Sequence, residues 1–169
     1  MSASATPTTT SATKFLTENS VQYCTHSFQY EEKGGTAASS KKLGWNEHQV
    51  IKTLVFENTD THEPLVVLMH GDWSVNTRAL GKAVGTKKTI APCAVSMACV
   101  DWNSFSIQVG GTSPFGLRTV MPIYIEQTIL PFDKILINAG GSRGFLVEID
   151  PKEVVRTLSA VPVTVGKMK

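Results

Sequence analysis

VIKTLVFENTDTHEPLVVLMHG, residues 50–71, is the stretch whose reading decides the fold. Its first limb, VIKTLVFEN, is dense in β-branched residues, which fit the pleated surface of a strand. Asn58, Thr59 and Asp60 then turn the chain, because short polar side chains bond their own backbone in turns. The second limb, PLVVLMHG, is largely apolar. Two such runs joined by turn residues predict a hairpin in the core. Alternation along the first strand sends Val50, Lys52, Leu54 and Phe56 to one face and Ile51, Thr53 and Val55 to the other. An ammonium therefore falls in an apolar row. Stripping water from a charge is costly, so Lys52 wants an anion beside it, either a carboxylate or a ligand phosphate. The competing reading is an edge-strand lysine that snorkels to solvent.

Upstream of this hairpin, the pattern predicts a short helix over residues 12–19 with Phe15 and Leu16 inward, a strand over 21–28, and a helix over 36–43 ended by Gly44. Downstream, residues 72–85 read as a helix carrying Val75, Ala79, Leu80, Ala83 and Val84 on one face, with Gly85 as terminator. A strand over 87–91, a weaker helix over 92–100 and strands over 105–109, 121–126 and 134–138 follow. FLVEI resumes the sheet after AGGSRG. Asp150-Pro151-Lys152-Glu153 is a helix start, with Asp as cap and Pro at the first helical position, and the helix holding Val154, Val155 and Leu158 closes the fold. Short strands with irregularly interspersed helices, lacking a regular βαβ alternation, give an α+β class with a mixed, strongly curved sheet. Residues 1–13 read as a flexible tail without charged side chains, and residues 14–169 as one domain.

Composition narrows the function classes. No apolar run approaches the ~18 residues of a membrane span. Three cysteines without CxxC spacing signal neither a disulfide framework nor a zinc module, and Asn-x-Ser/Thr acceptors are absent. This usage fits a reducing, cytoplasmic setting. The Ser/Thr-rich tail fits organellar import, and its lack of arginine speaks against it. A formal charge of +2 is small for a protein that grips nucleic acid through its backbone alone, so such contact should be local or shared with a partner.

Two glycine-rich runs are the remaining candidates. In VGGTSPFGLRTVMP, Gly110 and Gly111 supply backbone freedom, Thr112 and Ser113 supply hydroxyls and Pro114 fixes direction, so the loop can turn its N–H groups toward a ligand; an ordinary tight turn is the alternative. The run Gly140-Gly141-Ser142-Arg143-Gly144 lacks the spacing of a dinucleotide fingerprint and presents Arg143 to a phosphate or carboxylate. Cys24 and His26 share a strand face, but no third group orients them. His48, His62 and His70 form no metal pattern, so neither metal nor cofactor is expected. Donors and cations without a catalytic triad describe a site that binds and orients, leaving the chemistry to its substrate.

Four segments, VIKTLVF, GDWSVNTRALGKAVGTKK, VGGTSPFG and AGGSRGFLVEIDPKE, resemble in order and spacing the YbaK/EbsC family of aminoacyl-tRNA deacylases, over residues 20–158. The resemblance implies a barrel-like α+β fold and an editing activity in trans on tRNA(Pro) mischarged with cysteine, or with alanine in related branches. It implies Lys52, Gly110, Gly111, Thr112, Ser113 and Pro114 as the catalytic set, and Phe28, Gly140, Gly141 and Arg143 as substrate-binding residues. It implies no cofactor, and prolyl-tRNA synthetase as the partner that holds the tRNA. A non-catalytic tRNA-binding or synthetase-associated module is the alternative. The chain departs from the family at Phe28 (or His26), where tyrosine is common, at Ser142 in place of lysine, at Leu146 in place of an acid, and at His70 before Gly71, where proline is common.

Overall fold

The computed structural model describes residues 9–86, 90–92, 113–117, 120–140 and 144–169. The expectations for residues 87–89, for residues 93–100 of the helix expected over 92–100, for a strand over 105–109 and for Gly110, Gly111, Thr112, Gly141 and Arg143 lie outside them.

The hairpin forms as its sequence dictates. Strand β2 (Val50–Asn58) pairs antiparallel with β3 (Pro64–His70), with Thr53 opposite Leu68 and Val55 opposite Val66. Asn58 Oδ1 accepts the Asp60 N–H at 3.0 Å, closing the turn. Around this pair stand β1 (Cys24–Ser27), β5 (Ile90–Pro92), β6 (Ile123–Glu126), β7 (Ile135–Asn138), β8 (Phe145–Ile149) and β9 (Val161–Val163). Among the described residues they make an eight-stranded sheet in the order β1-β8-β7-β2-β3-β6-β9, with β5 added to β2. Its ladders are mixed: β2 with β7, β3 with β6 and β6 with β9 are parallel, and the others antiparallel. This is the α+β class with a mixed sheet. Among the described residues no pairing joins the outer strands β1 and β9 into a closed barrel.

Alternation along β2 feeds two apolar layers. Ile51 and Val55 join Leu68, Ile125, Ile137 and Ile149 in the larger core, covered by helix α1 (Ser11–Glu18) through Leu16 and by helix α4 (Pro151–Leu158) through Val154. Leu54 and Phe56 join Val67, Met69, Leu80 and Val165 on the other face. Truncating a fully buried Leu68 to alanine should cost about 2–5 kcal/mol. Helix α1 begins earlier than composition suggests: the Thr10 side chain accepts the Thr13 N–H while the Thr13 side chain accepts the Thr10 N–H, a reciprocal cap. Residues 10–13 thus belong to the helix start, and the Thr10 hydroxyl also donates to the Ala139 carbonyl at 2.7 Å. Helix α2 (Gly35–Leu43) ends at Gly44 as expected, and Asp150 caps α4 by accepting the Lys152 N–H at 2.8 Å.

Two expectations are corrected. The helix predicted over residues 72–85 is split: Trp73–Val75 is strand β4, and helix α3 (Thr77–Ala83) starts only where Asn76 Oδ1 accepts the Ala79 N–H at 3.1 Å. Nor does α4 close the fold, because β9 and then β10 (Gly166–Met168) follow it. The two errors share a cause: β4 is a strand because β10 pairs with it, and that partner lies some ninety residues away. Local periodicity carries no sign of it. Among the described residues no helix is long and apolar enough to cross a membrane.

Candidate active site

The site grows from the start of β2. Register pairs Ile51 with Ile137 in parallel, which carries Lys52 alongside Asn138 at the end of β7. A cavity of about 200 Å³ opens there, lined by Lys52, Thr53, Asn138 and Leu146 from the sheet, Thr36 and Ser39 from α2, and Phe28 beyond β1. That is below the ~300–1,000 Å³ of sites for drug-sized ligands. The fit is to a small chemical group.

Lys52 is half-buried. Its ammonium donates to the Trp73 carbonyl at 2.5 Å. Burial is the largest influence lowering its pKa, and repulsion from Lys169 lowers it further, while Glu47 and Asp72 pull the other way. Those carboxylates are engaged elsewhere: Glu47 accepts from the Thr36 hydroxyl at 2.8 Å, and Asp72 lies 2.8 Å from His48 Nδ1. Among the described residues no carboxylate forms an ion pair with Lys52. Next to it in the chain, the Thr53 hydroxyl oxygen is buried without a hydrogen-bond partner among the described residues. A buried hydroxyl left unpaired is costly, and alternation along β2 turns this one toward the Ile51 and Val55 face, opposite Lys52.

The other expected residues gather around this end of the sheet to differing degrees. Phe28 lines the cavity, and its ring carries the Lys42 ammonium 5.7 Å from the centroid. Its backbone N–H donates to the Gly144 carbonyl at 2.9 Å. Gly144 has φ +81, and a Cβ there would strike the Phe28 carbonyl, so only glycine lets the second glycine loop return this close. At the start of that loop, a Cβ built on Gly140 would lie 3.6 Å from the Ser113 Cβ, so the two glycine runs meet here. Ser113 is buried, and its Oγ accepts the Phe115 N–H at 3.3 Å, an internal turn bond. Pro114, also buried, follows it in the chain. His26 does not line this cavity; its Nε2 lies 2.7 Å from Glu148 Oε2, which commits the ring to that carboxylate, and Cys24 is exposed.

Sequence reasoning missed the polar scaffold behind Lys52. His70 is fully buried and stacks on His48 with centroids 3.6 Å apart. Its Nδ1–H donates to the His48 carbonyl at 2.6 Å, leaving Nε2 to accept from the Thr128 hydroxyl at 2.7 Å. Burial, above all, lowers the His70 pKa and keeps the ring neutral. Next to Thr128 sits the buried Glu126 carboxylate, whose Oε2 accepts the backbone N–H groups of Val165 at 2.8 Å and Gly166 at 2.7 Å. Glu126 thereby pins β10 against β4, and Trp73 of β4 holds Lys52. An acid at the end of an apolar strand, as in IYIE, was the available signal.

Among the described residues no group of three or more His, Cys, Asp or Glu side chains could hold a metal ion. The arrangement offers a recessed cation, an unpaired hydroxyl, an aromatic face and a polar wall.

The chain is similar to known proteins in sequence and in fold. Residues 31–157 match the model of the aminoacyl-tRNA editing domain. A protein of Enterococcus faecalis named "Putative Cys-tRNA(Pro)/Cys-tRNA(Cys) deacylase EbsC" is 26% identical over 147 residues, covering 86% of each chain. The crystal structure of hypothetical protein APE2540 superposes with a TM-score of 0.81 at 20% identity, covering 94% of this chain and 100% of its own. That of "a putative trans-editing enzyme for prolyl tRNA synthetase" superposes with a TM-score of 0.75 at 17% identity, covering 95% and 99%. At such identities the two structures speak for the fold. With the family model spanning most of its length, this chain belongs to the aminoacyl-tRNA editing domain family.

Proposed function

We propose that this protein is an aminoacyl-tRNA deacylase that edits in trans, removing a small amino acid from mischarged tRNA(Pro). The observation that carries the reading is Lys52: a recessed ammonium without a carboxylate partner among the described residues, on the wall of a cavity sized for a small group, in a chain of the editing family. Such a cation suits the phosphate or ribose side of the terminal adenosine, whose base can stack on Phe28. The aminoacyl group enters the cavity beside Thr53. Backbone N–H groups of residues 111–113 stabilise the charge that develops on the ester carbonyl oxygen.

With cysteine as the misplaced amino acid, the substrate supplies its own nucleophile. Its thiolate sulfur attacks the ester carbonyl carbon, a C–S bond forms, the C–O bond to the ribose breaks, and the ribose oxygen takes up a proton. The product is a cyclic thiolactone, which water opens to free cysteine. Holding the thiol in a near-attack geometry is then the protein's main task. The identity of the first curated relative supports cysteine as the substrate, and the turn bond within the Ser113 side chain supports backbone over hydroxyl chemistry in that loop. The small net charge supports a partner, prolyl-tRNA synthetase, that holds the body of the tRNA in the cytoplasm.

The test is release of amino acid from purified Cys-tRNA(Pro) and Ala-tRNA(Pro), with Lys52→Ala alongside. Release by the wild type and a loss of at least about 10²-fold in the variant are expected. Tight binding of charged tRNA without release would replace the enzyme by a binding module. Serine at Cys24, Cys93 and Cys99 should leave turnover largely intact.

A further inference from the structure

Asn138 is a polar side chain on the cavity wall that the fold leaves unused. The parallel register of β2 with β7 sets Leu136 beside Val50 and Ile137 beside Ile51, so Asn138 stands beside Lys52 on the same face, about 4.8 Å away across the ladder. The antiparallel pairing of β7 with β8 continues that row to Leu146. All three residues line the cavity. Its two polar members serve different ends. β3 and β7 flank β2 on opposite sides, and the Lys52 ammonium is drawn away from β7 to the carbonyl of Trp73 in β4, the strand that follows β3. Asn138 stays on the β7 side, partly buried, and its amide makes no hydrogen bond among the described residues.

The α2 wall adds oxygens whose hydrogens are already spent. The Thr36 hydroxyl donates to Glu47 Oε1 at 2.8 Å, and the Ser39 hydroxyl to the Gly35 carbonyl at 3.2 Å, so each has only acceptor lone pairs left to offer. Val50 and Leu146 are buried and apolar. Glu31, the one acid among the described lining residues, is bound to the Lys42 ammonium at 3.0 Å. Away from Lys52 the cavity therefore presents three neutral acceptor oxygens and no uncommitted charge. A group with several N–H donors and no acceptor is what such a set satisfies. An aminoacyl ester carries one, its α-ammonium, on the far side of the ester carbonyl from the nucleotide phosphates. Like charge also steers that ammonium away from Lys52 and toward Asn138.

We propose that Asn138, through its amide oxygen and with the Thr36 and Ser39 hydroxyl oxygens beside it, receives the primary α-ammonium of the aminoacyl group and sets the site's specificity for primary amines. Identifying the ligand as an aminoacyl ester rests on the deacylase reading; the preference for a primary ammonium at this end of the cavity does not. Three acceptors match the three N–H groups of a primary ammonium. The amine of proline is secondary: it has two N–H groups, and a ring carbon takes the third direction. Correctly charged prolyl-tRNA would leave one acceptor unpaired and press a methylene against it. A site built on hydrogen bonds rejects a ligand that cannot make them far more strongly than an apolar pocket rejects one methylene.

Two measurements decide it. In the first, non-hydrolysable 3′-amide analogues of aminoacyl-adenosine are titrated against the full wild-type chain while the side-chain NH2 signals of Asn138 are followed by NMR. The alanyl analogue should move those signals and bind at least about tenfold more tightly than its N-acetylated and prolyl counterparts. Equal affinities, or Asn138 signals that stay in place on binding, would overturn the assignment. In the second, Asn138→Leu is compared with wild type on charged tRNA(Pro) with a free α-amine and on the same tRNA after N-acetylation. kcat/KM should fall about 10- to 100-fold for the free amine and less than about threefold for the acetylated form, and Asn138→Gln, which keeps an amide oxygen, should recover part of the loss. Equal losses on both substrates in a variant that keeps its Tm would overturn the ammonium contact. Selective binding of the alanyl analogue by a wild type that hydrolyses no charged tRNA would refute the deacylase reading and retain the primary-ammonium site.

Discussion

Replacing Glu126 by alanine removes the acceptor of two backbone donors at once. The Val165 and Gly166 N–H groups now bond Glu126 Oε2 at 2.8 and 2.7 Å, and Val165 is almost fully buried. A buried donor left unpaired costs about 1–3 kcal/mol. Val165 should incur most of that and the half-buried Gly166 less, since water can reach it, giving about 2–4 kcal/mol in all. For a domain of this size each kcal/mol lowers Tm by about 2–4 °C, so the expected drop is about 4–16 °C. The loss should be local in origin. Hydrogen exchange at the amides of β10 and β4 should accelerate well before that of β2 and β3, because the pairing of Met168 with Trp73 depends on the anchor. Glu126→Gln keeps one oxygen for the two N–H groups and turns its amide nitrogen toward the Thr128 hydroxyl, which can accept. It should cost under about 1.5 kcal/mol. Equal losses in the two variants, or uniform acceleration of exchange across the sheet, would refute the assignment of Glu126 as the anchor of β10.

Other perturbations follow from the same polar groups. Thr53→Val removes a buried hydroxyl that has no partner among the described residues; stability in urea should hold or rise by about 1 kcal/mol while deacylation falls, and a loss of stability above ~1 kcal/mol would show that the hydroxyl is satisfied in the native state. Burial and Lys169 hold the Lys52 pKa below its unfolded value of 10.5, so between the two values the unfolded chain binds more protons and stability rises with pH. Wild type should therefore gain on Lys52→Met as pH climbs toward 10.5 in parallel urea titrations, and parallel curves would count against a recessed charge. His70 has a lowered pKa, again chiefly from burial. Below its unfolded value of 6.5 the unfolded chain takes up a proton that the native ring refuses, so stability should fall from pH 6.5 downward, and His70→Gln should flatten that slope.

The hairpin was legible because everything that makes it is local: β-branched density, a side chain that bonds its own turn and an uninterrupted apolar return strand. Lys52 was legible for the same reason, as a charge out of place in an alternating row. Helix ends at Gly44 and Asp150 were equally readable, since a cap is a single-residue event. Trp73–Val75 was not. Those residues carry helix-compatible spacing, and only a distant partner at residues 166–168 makes them a strand. The cavity wall was partly hidden for a similar reason: Thr36, Ser39 and Asn138 come from three elements, and nothing in the spacing along the chain marks their convergence. Glu126 sits at the end of an apolar run where an acid reads as a strand terminus, although in the folded chain it is almost fully buried.

The pairing of β1 with β8 joins Cys24 to Glu148 across most of the chain. A ribosome adds about 5–20 residues each second, so the first strand emerges roughly 5–25 s before its partner exists. The central strand β2 is in a similar position on its β7 side, since Val50 and Ile51 await Leu136 and Ile137. Through that interval the nascent protein can close the 50–71 hairpin and add β5 and then β6 to it, while β1 and the β7 side of β2 stay open to any other chain nearby. Its yield in the cell should therefore depend on the speed of translation and on the chaperones that meet the half-made sheet, in addition to the stability of the finished one.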